Sequence, residues 1–439
     1  MKVTIEKGNT LLIYNGNFKL LEGSVTVFGN PLTIREAVTV GPGSALPVHA
    51  LSPSILAIEL NNGGMVTEKK GDSIPLSWKD TVKEITAETV FKRDFLKVMI
   101  IGPVDAGKTG FVYYLASQLK KKGKKVAVID MDSGQSSIGP PTTIGYGFLS
   151  DSDLSLSTVR PESLFFIGCT TPKDVFHRVM AGLTRFLNEL EQLPQPPDAV
   201  VVDTTGWVAG TPARDLKTGK IQILDPDFLV AISKEDTEHL VLPFAKKGGS
   251  IKCRFVEKAK FAHVRSREVR RSRRNSTFRK IFASSKEVMV ELSNYNLFNT
   301  VLGTGERLED DQAEMIKKWL NFPVISIERT PDYLVLITDE NIVLTDKKEL
   351  EQKIFGYGSQ RQLKIIALKD IGNLLVAFTD NQDSFLGLGI IRGYSPKLRS
   401  VELVLSSTVE LAKVANIHFG HLKVSPEGTE IGLLSPWTT

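Results

Sequence analysis

Residues 96–109 read LKVMIIGPVDAGKT, from Leu96 through Gly102 and Gly107 to Lys108 and Thr109. An apolar run with strand character enters a match to GxxxxGK[ST] at every required position. In that spacing the glycines let successive backbone N–H groups turn inward as an anion-binding nest. The helix that follows points its positive N-terminus at the same place. Gly102, Pro103, Val104, Asp105, Ala106, Gly107, Lys108, Thr109 and Gly110 are therefore expected to cradle the phosphates of ATP. Lys108 would reach the β and γ oxygens, and the Thr109 hydroxyl would be placed for Mg²⁺. Helical spacing of Phe111, Leu115 and Leu119 predicts a helix over Lys108–Lys121 with Gly123 as its C-cap, and VAVID is the next strand. This is a βαβ unit.

The next strand ends in Asp130-Met-Asp132-Ser-Gly134-Gln135, at the carboxyl edge of the sheet where ligands of such folds sit. Strand side chains alternate, so Asp130 and Asp132 share one side, and both could address Mg²⁺ or an attacking hydroxyl. Further strands are predicted at SLFFIGC, DAVVVD and DFLVAI, with an amphipathic helix over Asp174–Leu193. Alternating strands and helices imply a mostly parallel sheet covered on both faces. DAVVVD ends in Asp203-Thr204-Thr205-Gly206-Trp207, with Asp203 where a Walker B carboxylate usually stands. Trp207 either offers a face for stacking on a base or belongs to the core. DFLVAI is followed by Ser233-Lys234-Glu235-Asp236, close to the guanine motif of P-loop GTPases but with the wrong first residue.

On either side of this unit the grammar is that of β structure. From Val3 to about Trp78 short alternating runs are separated by Gly, Asn and Pro turns, and a charged stretch, Lys79–Arg93, with helix-friendly Val82–Val90, links them to the P-loop strand. After Lys280 strand-like runs return as YLVLITDE, KIIALKD, NLLVAFTD and LGLGII. The expected architecture is α/β: a central P-loop NTPase domain with a mostly parallel sheet, flanked by N-terminal and C-terminal β-rich domains. Its boundaries are placed at 1–90, 91–285 with an arginine-rich lid near 264–282, and 286–439. With 41% hydrophobic and 24% charged residues the chain can bury sizeable cores, and its net charge of +5 does not by itself demand a polyanionic partner. Two cysteines, Cys169 and Cys253, exclude a disulfide framework, and no run has the length of a membrane span. A soluble, cytoplasmic protein is expected.

From Arg265 to Arg274 six of ten residues are arginine. A solvated basic helix is the usual fate of such a run, yet arginine favours planar, bidentate contacts to phosphate, so the segment also reads as a lid over a migrating phosphoryl group. On an ideal helix Arg267, Arg270 or Arg271, and Arg274 share a face, while Arg265 is rotated away and Arg273 is expected to point elsewhere.

Taken together, GPVDAGKT at 102–109, DMDSGQ at 130–135, TTP at 170–172, TTGW at 204–207 and RSREVRRSRRNSTFRKIF at 265–282 resemble the polynucleotide 5′-hydroxyl-kinase family that includes the kinase subunit of the eukaryotic pre-mRNA cleavage factor and its archaeal relatives. LLEGSVTVFG is similar to that family's N-terminal β domain, and the similarity weakens after about residue 300. The resemblance implies transfer of the γ-phosphate of ATP, with Mg²⁺, to the 5′-hydroxyl end of RNA or DNA, and RNA-processing proteins as further partners. It implies catalytic roles for Lys108, Asp132 as general base, and Arg265, Arg270 and Arg274 of the lid. Thr109 and Asp130 would serve the metal, with Asp130 secondary to Asp132, while Gln135, Thr170 or Thr171, and Trp207 would hold the terminal nucleotide. A GTP-hydrolysing switch or metal-insertion ATPase on the same loop, or a catalytically silent ATP-binding subunit, are the alternative readings.

Overall fold

Short alternating runs fold into β1 (Lys2–Ile5), β2 (Asn9–Glu22), β3 (Val25–Val27), β4 (Asn30–Pro31), β5 (Ala37–Ala50) and β6 (Ser54–Lys70). They form one sheet in the order β1-β6-β2-β5-β3-β4, and Leu11, Ile13, Phe18, Val48, Leu56 and Ile58 make its buried face. This computed structural model describes residues 1–88, 95–245, 249–262 and 265–435. The expected boundary between residues 90 and 91, and Val264 at the start of the expected lid, lie outside them.

The linking helix, α1 (Leu76–Ala87), begins earlier than the stretch from Val82 suggested. Trp78, Val82 and Ile85 form its buried stripe, and the Trp78 ring meets Phe111 edge-on at 5.2 Å. Trp78 Nε1 donates to the Glu257 carbonyl at 2.7 Å, so the indole is an anchor of the P-loop layer.

β7 (Leu96–Ile101) is buried at every position, as a central strand of a parallel sheet must be. After it come α2 (Lys108–Lys121), β8 (Val126–Met131), β9 (Thr143–Phe148), β10 (Ser163–Phe166), α3 (Phe176–Glu191) and β11 (Ala199–Thr204). The series continues with α4 (Thr211–Leu224), β12 (Phe228–Ile232), α5 (Lys234–Val241), β13 (Lys252–Val256) and α6 (Arg267–Phe282). The sheet order is β10-β9-β8-β11-β7-β12-β13, with β8, β11, β7, β12 and β13 mutually parallel. β9, which the sequence reading passed over, pairs antiparallel with β8. Its glycines hide it: a Cβ on Gly147 would lie 2.2 Å from the Arg160 carbonyl oxygen, so close backbone approach excludes the side chains that advertise a strand.

Two compact units result. The first comprises residues 1–165 and 171–274 and so joins the N-terminal sheet to the P-loop sheet; the second comprises residues 166–170 and 275–439. The division falls within α6 instead of at the expected residue 285. In the second unit a seven-stranded sheet built on Leu374–Thr379 and a four-stranded sheet built on Tyr333–Thr338 account for the expected β-rich segment. Phe278 and Phe282 pack there with Leu375, Ile390 and Val404.

Candidate active site

The phosphate loop is held open by backbone geometry. Asp105 and Gly107 both have positive φ, +58° and +96°, which turns neighbouring N–H groups to one side. A Cβ on Gly107 would sit 2.7 Å from the Ala259 methyl and 3.1 Å from Trp78, so only glycine fits. Lys108 opens α2 and is buried, with Nζ donating to the Pro103 carbonyl at 2.7 Å. Burial lowers the pKa of its ammonium, against the opposing pull of Asp203, Asp132 and Asp105. Thr109 Oγ1 donates to Asp203 Oδ2 at 2.6 Å. That bond joins the loop to the end of β11 and marks Asp203 as the carboxylate beside the threonine.

Asp130 and Asp132 differ sharply. Asp130 is only 1% exposed; its Oδ1 accepts from the Asp132 N–H, and its Oδ2 accepts from the Ser136 hydroxyl and the Ser137 N–H. Burial first, then Asp203 and Asp132, push its pKa up to about 7. This is the environment of a turn-organising group. Asp132 is half-buried, and Oδ1 accepts the N–H groups of Gly134 and Gln135, each at 3.0 Å. Gln135 donates through Nε2 to the Gly134 carbonyl, while its buried Oε1 has no hydrogen-bond partner among the described residues.

The turn after β11 lies against the P-loop. A Cβ on Gly206 would fall 2.6–2.8 Å from Cγ2, Cα and N of Val104, so the two backbones touch without room for any side chain. Trp207 is half-buried, with its ring tilted 57° to Phe176 at 6.1 Å. Thr171 is exposed in the same unit; Thr170 is half-buried and belongs to the second unit. Sequence reasoning missed two residues behind this turn. Lys217 and Lys220 of α4 are both fully buried, and burial drives their ammonium pKa values down, that of Lys220 to about 8 against the pull of Asp132, Asp130 and Asp203. A lysine in a helix gives no sequence signal that it points inward.

In the lid, α6 starts at Arg267, so Arg265 precedes the helix and escapes its geometry. Arg265 and Arg270 therefore meet on one P-loop carboxylate: Arg270 Nη2 lies 2.7 Å from Asp105 Oδ2, and Arg265 Nε lies 3.4 Å from Asp105 Oδ1. Arg274 Nη1 donates to the Gly134 carbonyl at 3.4 Å. Arg273 does not point elsewhere. At i+3 from Arg270 it shares that stripe, and burial, with Arg265 adding to it, lowers the pKa of its guanidinium against the pull of Asp130 and Asp132. The guanine-motif look-alike is internally closed, with Asp236 accepting from Ser233 Oγ at 2.6 Å and paired to Lys258 at 2.8 Å.

The family model for the mRNA cleavage and polyadenylation factor Clp1 P-loop matches residues 102–284, which span the loop, both carboxylates and the lid. A polyribonucleotide 5′-hydroxyl-kinase of Pyrococcus abyssi is 33% identical over 341 residues, covering 77% of this chain and 90% of that one. The chain belongs to the Clp1 polyribonucleotide 5′-hydroxyl-kinase family. Another family member, from Pyrococcus furiosus, is 31% identical with the same coverage, 77% and 90%. The fold is similar to that of a solved relative: the Clp1p chain of a Clp1p–Pcf11p complex superposes with a TM-score of 0.64 at 16% identity, covering 96% of this chain and 97% of that one.

Proposed function

We infer that the chain is a polynucleotide 5′-hydroxyl kinase that moves the γ-phosphoryl group of ATP to the 5′-hydroxyl end of RNA or DNA. The carrying observation is the contact between two surfaces with different tasks. The Asp203–Trp207 segment touches Thr109 at one end and Val104 through Gly206, so a triphosphate cradle and an aromatic platform share one short stretch of backbone. The relatives' shared name, polyribonucleotide 5′-hydroxyl-kinase, favours an RNA acceptor.

Within this reading the backbone of 102–110 holds the β and γ phosphates, and Lys108 neutralises their oxygens. Thr109 and Asp203 supply the hard oxygen donors that Mg²⁺ selects, and when bound the ion offsets charge on the β and γ oxygens. Asp132, the accessible carboxylate, takes the proton of the 5′-hydroxyl as its oxygen bonds to γ-phosphorus and the bond to ADP breaks. Asp130 holds the 132–137 turn in shape. Gln135 is the candidate in the 132–137 turn to meet the terminal nucleotide, Trp207 stacks on its base, and Thr171, in the same unit, is the remaining candidate to hold it. Arg265 and Arg270 pair with Asp105 and Arg274 with the Gly134 carbonyl in the structure, and with ATP bound the forked guanidinium groups of Arg270 and Arg274 would turn to the γ-phosphoryl oxygens, with Arg273 adding positive charge beside the carboxylates. By the likeness to a Clp1p–Pcf11p complex, an RNA-processing protein is the proposed partner.

Incubation with γ-labelled ATP, Mg²⁺ and a 5′-hydroxyl oligonucleotide tests the reading. Label on the oligonucleotide is expected; label only as free phosphate would indicate an NTPase, and none released, a silent binder. Trp207→Ala is expected to raise the oligonucleotide KM about 5- to 150-fold, the loss of ~1–3 kcal/mol of stacking, with the ATP KM unchanged in parallel titrations. An unfolded product on thermal denaturation would make Trp207 a core residue. Arg270→Lys and Arg274→Lys keep charge but lose the planar fork, and each should lower kcat about 10²-fold, or about 2.7 kcal/mol. Arg267→Lys, on the exposed first residue of α6, is the comparison. Equal, small and salt-sensitive effects at all three would reduce the segment to a basic patch.

A further inference from the structure

An ammonium withdrawn from water costs several kcal/mol unless its donors are satisfied, so a wholly buried lysine calls for a structural account. For Lys217 the account is specific. Its Nζ donates to Thr204 Oγ1 at 2.9 Å, to the Thr205 carbonyl at 2.6 Å and to Thr205 Oγ1 at 3.2 Å. Every one of these acceptors lies in the turn between Asp203 and Trp207. Thr204 Oγ1 in turn donates to the Ile100 carbonyl at 2.8 Å, at the end of the strand that enters the P-loop. On its other side the turn is pressed onto Val104 at Gly206. Lys217 thus closes a clamp: P-loop strand, threonine pair, lysine from below, P-loop backbone from above.

We propose that Lys217 is a positioning residue for the acceptor, holding the Thr204–Trp207 turn so that the Trp207 ring stays in register with the triphosphate loop. The proposal rests on the reading of Trp207 as the acceptor platform. Among the described residues the Lys217 hydrogen bonds go to Thr204 and Thr205 and none to the phosphate cradle, and Asp203 is also held by its strand pairing and by Thr109. Loss of the lysine donors therefore frees the turn while leaving the nucleotide side in place. A residue that merely stabilised the fold would weaken both substrates alike.

The test is a double-mutant cycle with Lys217→Met, which keeps the reach of the side chain and removes its donors, and Trp207→Ala. In the wild-type background Lys217→Met should raise the oligonucleotide KM about 10-fold, with the ATP KM within about twofold. In the Trp207→Ala background the same change should add less than about twofold, because the platform it positions is already gone. Equal effects in both backgrounds, or equal rises in both KM values, overturn the proposal. If Trp207→Ala alone leaves the oligonucleotide KM unchanged, the platform reading itself has failed, and the two failures are told apart by that single variant. Should Lys217→Met not fold, Thr205→Val removes one of the lysine's partners and keeps the volume. A smaller rise in oligonucleotide KM alone supports the clamp, and no preferential rise overturns it.

Discussion

Asp132→Asn is expected to lower the single-turnover rate of phosphoryl transfer by ~10²–10⁴-fold while leaving ATP affinity intact. An asparagine Oδ1 still accepts the N–H groups of Gly134 and Gln135 that the carboxylate accepts, so the turn survives and only the basic oxygen is lost. Asp130→Asn should behave differently. Both Asp130 oxygens accept backbone N–H groups, from Asp132 and from Ser137, and an amide would turn its own NH₂ against one of them. That variant should lose thermal stability first. Rapid-quench measurement of labelled product, with ATP binding and melting followed in parallel, separates the two. Wild-type turnover in Asp132→Asn would remove it as the base.

Lys108→Ala is expected to weaken ATP binding and to cut transfer by at least about 10³-fold, because the β and γ oxygens lose the cation of the loop. The lysine is buried with Asp203, Asp132 and Asp105 as its charged partners, so its removal leaves those carboxylates facing one another. Their mutual repulsion should make the variant more dependent on Mg²⁺ for nucleotide binding than the wild type. Isothermal titration with and without Mg²⁺ reads that dependence. Undiminished turnover would sink the assignment of 102–110 as the catalytic phosphate cradle.

Much of the central architecture was legible from local patterns. LKVMII, VAVID, DAVVVD and DFLVAI are apolar runs, and strands buried on both faces have no other way to look. Other elements were not, and each has its reason. The helix Thr211–Leu224 interrupts its buried stripe of Ala213, Leu216, Ile221 and Leu224 with two inward lysines and carries Gly219; a Cβ on Gly219 would lie 2.7 Å from the Met180 methyl, so close helix packing selected the residue that weakens the helical signal. β9 is concealed by Gly145 and Gly147 in the same manner. Arg273 was misplaced by treating one face as a single row, although i+3 and i+4 neighbours share it.

The sequence by itself determined the phosphate loop, the strands beside it, the motifs in order and the family they resemble. Each of these is written in a short stretch of chain: a spacing of glycines, a run of apolar residues, a pair of carboxylates two apart. Tertiary structure alone decided which member of each set is available for chemistry. Thr109 meets Asp203 across 94 residues of sequence, and Asp105 meets Arg270 across 165. Asp130 is enclosed and Asp132 is open because of where the chain returns after residue 132, and Lys217 becomes a clamp because α4 passes beneath the turn that ends β11. Burial and charge pairing are set by neighbours in space, and those neighbours come from segments too far apart for any local pattern to record.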